Sequence, residues 1–108
     1  MSHKTKQCAT HVLVVDDEPN VLELLAGALE SYGYSVTPAR TAECALDMAR
    51  QSRFDLVLCD LYLPGMNGAQ LTSALSRMHP QMPVVLITSY GDLQASRQAL
   101  ESGAIDFI

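Results

Sequence analysis

The stretch VLVVDDEPN, residues 12–20, sets four apolar residues directly against three acids and then a proline. Val12 to Val15 carry no polar side chain, and Asp16, Asp17 and Glu18 follow without a break. Neighbouring carboxylates repel one another, and a chain tolerates that cheaply only where water or a cation screens them. Pro19 suits the first turn of a helix, where its missing N–H is no loss. Two readings stand open: a solvated turn in which Asp17 caps the following helix, or half of a cation site.

Working outward, the same kind of run recurs. Leu56–Cys59 and Val84–Ile87 are short, apolar and unalternating, with weaker runs at Ser35–Thr37 and Ala104–Ile108. Such runs suit strands buried on both faces of a parallel sheet. Helical patterns lie between them. Val21, Leu22, Leu25, Ala28, Leu29 and Tyr32 form one stripe, with Pro19 at its start and Gly33 just past its end. Ala42, Ala45, Leu46 and Ala49 form a second, capped by Thr41; Leu71, Ala74, Leu75 and Met78 a third, closed by Pro80. A weaker fourth runs from about Asp92 to Ser102 and ends at Gly103. Strands alternating with helices predict an α/β, doubly wound parallel sheet of five strands, with right-handed crossovers.

The 108 residues suffice for one domain, read as 11–108, behind a polar, mobile tail at 1–10. No apolar run approaches a membrane span and no secretory signal precedes the first strand, so a cytoplasmic protein is expected. A net charge of −5, without a basic patch or any Trp, argues against direct nucleic-acid binding. Cys8, Cys44 and Cys59 are odd in number and lack C-x-x-C spacing, which suggests neither disulfides nor zinc. Cys59 reads as a small buried hydrophobe. The histidines His3, His11 and His79 show no metal-ligand spacing and receive no role.

Function in such sheets gathers beyond the carboxyl ends of the strands. Asp16 and Asp17 follow the first run, Asp60 ends the third, and Thr88 and Ser89 follow the fourth. If the first and third strands are neighbours, Asp16, Asp17 and Asp60 share one pocket. Oxygen ligands without His or Cys point to a hard ion, most naturally Mg²⁺. A metal beside a carboxylate suggests phosphoryl chemistry, with the Thr88 hydroxyl placed to bond phosphoryl oxygens. The bland alternatives are N-capping acids and a Thr that merely favours strand.

The segments VLVVDDEP, DLVLCDLYLPGMNG, MPVVLITSYGD and ALESGAIDFI, with Asp16, Asp60 and Thr88 spaced 44 and 28 residues apart, resemble the response-regulator receiver domain of two-component signalling. The resemblance covers His11 to Ile108. It implies the flavodoxin-like strand order 2-1-3-4-5. It implies Asp60 as phosphoacceptor from a sensor histidine kinase or phosphotransfer protein, and an output domain C-terminal to this chain. Asp17 becomes a direct Mg²⁺ ligand, Asp16 acts through metal-bound water, and the Tyr62 carbonyl completes the protein ligands. Thr88 becomes the phosphoryl-contacting switch hydroxyl and Phe107 the switch aromatic, which by pattern alone reads as core. Gly65 and Gly68 would supply unusual backbone angles after the phosphoacceptor. SYGD is similar to the receivers of transcriptional activators.

The implied domain is a phosphoacceptor that assists its own phosphorylation and dephosphorylation rather than an enzyme. The family pattern continues past Phe-Ile with a Lys-Pro pair and a last helix, so this chain reads as C-terminally truncated. The face that the helix would cover is then open to self-association, a homodimer being one outcome. Two alternatives remain. A pseudo-receiver would use the same fold as an unphosphorylated interaction module. A Mg²⁺-dependent aspartyl phosphatase would want a second acid two residues after Asp60, where Tyr62 stands.

Overall fold

The structure, a computed structural model, describes residues 10–60 and 63–87 and the backbone of 106–107. In chain order its elements are β1 (His11–Val15), α1 (Pro19–Ser31), β2 (Ser35–Ala39), α2 (Ala42–Gln51), β3 (Leu56–Asp60), α3 (Gly68–Met78), β4 (Val84–Ile87) and β5 (Asp106–Phe107). All strand pairings are parallel, and the sheet order is β2-β1-β3-β4-β5. The fourth helical pattern lies outside the described residues, as does the tail through residue 9. Thr10 is already tied to the sheet, its carbonyl accepting from the Ser35 N–H at 2.9 Å.

The unalternating strands are explained by cover on both faces. Leu13, Val15, Val57, Cys59, Val84 and Leu86 point to one side, where they pack with Ala45, Leu46 and Ala49 of α2 and Leu71 and Leu75 of α3. Val12 and Val14 point to the other, against Leu22 of α1. Each fully buried Leu or Val on these faces contributes about 1.5–3 kcal/mol by transfer from water. The two faces are unequal. Leu56 and Leu58 are only half-buried on the α1 side, as are Val85 and Ile87.

The helix limits follow local chemistry. Thr41 caps α2 by accepting from the Cys44 N–H at 3.0 Å. Asn67 and Gln70 form a reciprocal capping box at the start of α3. His79 ends α3, and its ring nitrogen Nε2 meets the Ala49 carbonyl of α2 at 2.9 Å, joining the two helices at their carboxyl ends. Helix α1 departs from expectation in its buried face. Leu22 is buried and Leu25 and Leu29 are half-buried, but Val21, Ala28 and Tyr32 are exposed. The apolar stripe is broader than the surface α1 covers. Gly33 and Gly65 adopt positive φ, 95° and 82°, and a Cβ at either position would meet nothing within 4 Å, so backbone conformation rather than space selects glycine there. Gly68 corrects the expectation of unusual angles: it is the buried first residue of α3.

Strand β2 runs two residues past its apolar run, through Pro38. Ser35 donates to Thr10 and Ala39 accepts from Asp16, so these residues turn their backbone groups toward β1. Alternation then directs Val36 and Pro38 to the open edge, where a missing N–H breaks no ladder bond.

Candidate functional site

Strand register builds the site. Val15 pairs with Cys59, so the residue after β1 stands beside the last residue of β3. Asp16 is 9% exposed, Asp60 is half-buried, and Asp17 is the most open of the acids. One carboxylate oxygen from each of Asp16, Asp17 and Asp60 lies within 4.8 Å of the other two. The convergence inferred for the acids at the ends of the first and third strands is therefore present.

Asp16 is held from two directions. Its N–H donates to the Ala39 carbonyl at 3.1 Å, and its Oδ1 accepts from the Glu18 N–H at 2.9 Å. The second bond closes a tight Asx turn that aims the chain into α1. Helix α1 is capped at Glu18 with no side-chain bond, so Asp17 is not a helix cap. The bland reading of Asp17 thus loses its structural support. An all-oxygen donor set with one buried acid and two more accessible ones fits a hard divalent cation. It lacks the Cys and His ligands that zinc and softer ions favour.

Cys59 makes a contact that sequence reasoning misses. It is 1% exposed, as a small core hydrophobe should be, but its Sγ also donates to the Asp60 carbonyl at 3.2 Å. Burial, and then the nearby Asp60 and Asp16 carboxylates, push this thiol far above the ordinary range, so it stays protonated. The Asn67–Gln70 box does carry a sequence signal, N-x-x-Q ahead of an apolar stripe.

Of the other assigned residues, Tyr62 and Thr88 lie outside the described residues. Ile87, which precedes Thr88, is the register partner of Asp60. Phe107 lies in β5, its backbone paired with Leu86; only its backbone is described. A separate groove of about 590 Å³, lined by Phe54, Asp55, Met78, His79 and Met82 among others, lies at the amino ends of β3 and β4, the other end of the strands from the acids. Among the described residues, no helix is long and apolar enough to cross a membrane.

Comparison with known proteins gives consistent relatives. The nitrogen assimilation regulatory protein NtrX of Azorhizobium caulinodans is 40% identical over 102 residues, 93% of this chain and 22% of that protein. The response regulator protein PilR of Pseudomonas aeruginosa is 41% identical over 96 residues, 89% of this chain and 22% of that protein. The chain thus spans about a fifth of the length of these relatives. Among solved structures, a CheY-like receiver domain protein from Methanospirillum hungatei superposes with a TM-score of 0.89 at 33% identity, covering 93% of this chain and 80% of that one. The receiver domain of NtrX from Brucella abortus superposes at 0.84 with 35% identity, covering 90% and 82%. The response regulator receiver domain family matches residues 12–108, in which the strand order, the acid cluster and the relatives all agree, and the chain belongs to it.

Proposed function

We propose that this receiver domain accepts a phosphoryl group on Asp60 in a Mg²⁺-dependent transfer from a sensor histidine kinase or phosphotransfer protein. The observation that carries the reading is the meeting of Asp16, Asp17 and Asp60 within 4.8 Å at the carboxyl ends of β1 and β3. A carboxylate oxygen of Asp60 forms the new O–P bond as the N–P bond to the donor histidine breaks. Asp17 and Asp60 would hold the ion directly, and Asp16, fixed by its Asx turn, would act through bound water. When bound, Mg²⁺ supplies positive charge that offsets the developing negative charge on the phosphoryl oxygens. By family resemblance, the Tyr62 carbonyl would join the ion's ligands, the Thr88 hydroxyl would bond the phosphoryl group, and Phe107 would be the aromatic switch. A domain spanning a fifth of its relatives' length serves a longer regulator, and the phosphoryl signal passes to an output module outside these residues.

Incubation with a small phosphodonor such as acetyl phosphate and Mg²⁺ tests this. The expected product is one acyl phosphate, lost on hydroxylamine treatment and absent from Asp60→Asn. Phosphorylation that persists in Asp60→Asn, or acid-stable phosphate on another residue, contradicts the assignment.

A further inference from the structure

We propose that Arg40 is a specificity-determining residue of the phosphoryl site, its guanidinium drawing the anionic phosphodonor to the acid cluster from the β2 side. The inference rests on the reading of Asp60 as phosphoacceptor. Val15 pairs with both Ala39 and Cys59, so the next row of the register holds Arg40, Asp16 and Asp60, in line with β2, β1 and β3. These three continue the alternation of Val36, Val14 and Leu58, which pack together on the α1 side of the sheet. A strand spacing of about 4.8 Å puts the Arg40 backbone roughly 10 Å from that of Asp60. The position is fixed from both sides: the carbonyl of the peptide joining Ala39 to Arg40 accepts from the Asp16 N–H at 3.1 Å, and Thr41, the next residue, caps α2. The Arg40 side chain is exposed and forms no ion pair among the described residues. The neighbouring Asp16 carboxylate is 9% exposed, with its Oδ1 engaged by the Glu18 N–H. The other described arginines lie elsewhere. Arg50 and Arg77 stand in the last turns of α2 and α3, and Arg53 lines the groove at the amino ends of β3 and β4. Among the described residues, Arg40 is therefore the only Lys or Arg at the carboxyl ends of the strands, where Asp16, Asp17, Glu18 and Asp60 otherwise repel an incoming anion. An exposed cation at the rim of such a site attracts a phosphate dianion and opposes a divalent metal.

Two substitutions test this role. Phosphorylation by acetyl phosphate is followed at saturating Mg²⁺ and low ionic strength in wild type, Arg40→Gln and Arg40→Lys, and Mg²⁺ affinity is measured separately from backbone amide shifts. Arg40→Gln is expected to lower the second-order rate constant about threefold, and Arg40→Lys, which keeps the charge, to restore most of it. Salt at about 0.5 M should erase the difference, because it screens exposed charges at this separation. Arg40→Gln should also tighten Mg²⁺ binding about twofold at low salt, since it removes a positive charge near a cation. The opposite signs separate this role from a structural one, in which metal and donor would both be weakened. A wild-type rate constant in Arg40→Gln at low salt overturns the inference, as does a loss that salt leaves in place or that comes with weaker Mg²⁺ binding. Wild-type protein that acetyl phosphate leaves unlabelled shows that the phosphoacceptor reading has failed, and the inference falls with it. That result is distinct from an Arg40→Gln protein that labels like wild type, which refutes the role of Arg40 alone.

Discussion

Asp16 follows Val15, and Val15 pairs with Cys59, so two acids 44 residues apart in sequence become neighbours through one register. Each was legible because it ended an apolar run; a single such acid also reads as a helix cap, and it was the three together that pointed to a cation. The contact of Cys59 with the Asp60 carbonyl was not legible, because a small thiol inside an apolar run looks like any other core residue. The contrast between Cys59 and Cys44 is testable. Thiolate is the reactive form, and burial beside two acids keeps the Cys59 thiol neutral, whereas Cys44 is exposed. Brief treatment with iodoacetamide at neutral pH should label Cys44 and spare Cys59, and unfolding in guanidinium should make both reactive. Rapid native labelling of Cys59, mapped by peptide mass, would show that the strand end opens in solution. Gly65 adds a conformational prediction. With φ at 82° and open space around it, Gly65→Ala should destabilise the fold by about 1 kcal/mol through backbone strain alone, read from a shift in the urea midpoint.

At the scale of elements, periodicity found the helices and strands but misjudged how much of a stripe is buried. The α1 pattern included Val21, Ala28 and Tyr32, yet a single sheet contact covers only the Leu22, Leu25 and Leu29 side. The limits of α2 and α3 were more legible, because capping chemistry and proline act locally. Removing a cap has a predictable effect. Asn67→Ala should destabilise the domain by about 1 kcal/mol, since it leaves the Gln70 N–H without its side-chain acceptor while the backbone N–H of residue 67 keeps its bond to Gln70 Oε1. Chemical denaturation measures this, and an unchanged midpoint would deny the box any energetic role. The β2 edge carries a second device. Pro38 faces the open edge without an N–H to offer, which blunts pairing with another chain. Pro38→Thr should leave the fold intact while raising concentration-dependent light scattering.

For the whole molecule, alternation of strands and helices gave the fold class, but periodicity does not specify which strands are adjacent. The order β2-β1-β3-β4-β5 came from family resemblance, and it decides function, because it places β1 beside β3. The chain winds outward from β1 to β2 in one direction and from β3 through β5 in the other, so the acids sit at the switch point where ligands bind in open parallel sheets. The same order leaves the two faces differently covered. Leu56, Leu58, Val85 and Ile87 are half-buried on the α1 side, and Leu24 on α1 is 73% exposed. This apolar surface should drive the 108-residue chain to self-associate. Sedimentation velocity is expected to show mass rising with concentration, and a chain that stays monomeric at high concentration would show that the thin cover suffices. Titration with Mg²⁺, followed through the backbone amides, tests the central claim most directly: that the carboxyl-terminal strand ends form a divalent-metal site for phosphoryl transfer. Saturable shifts centred on Asp16, Asp17 and Asp60 at millimolar Mg²⁺, lost in Asp17→Asn, are the predicted result; no response there, or an identical response to added sodium, would contradict it.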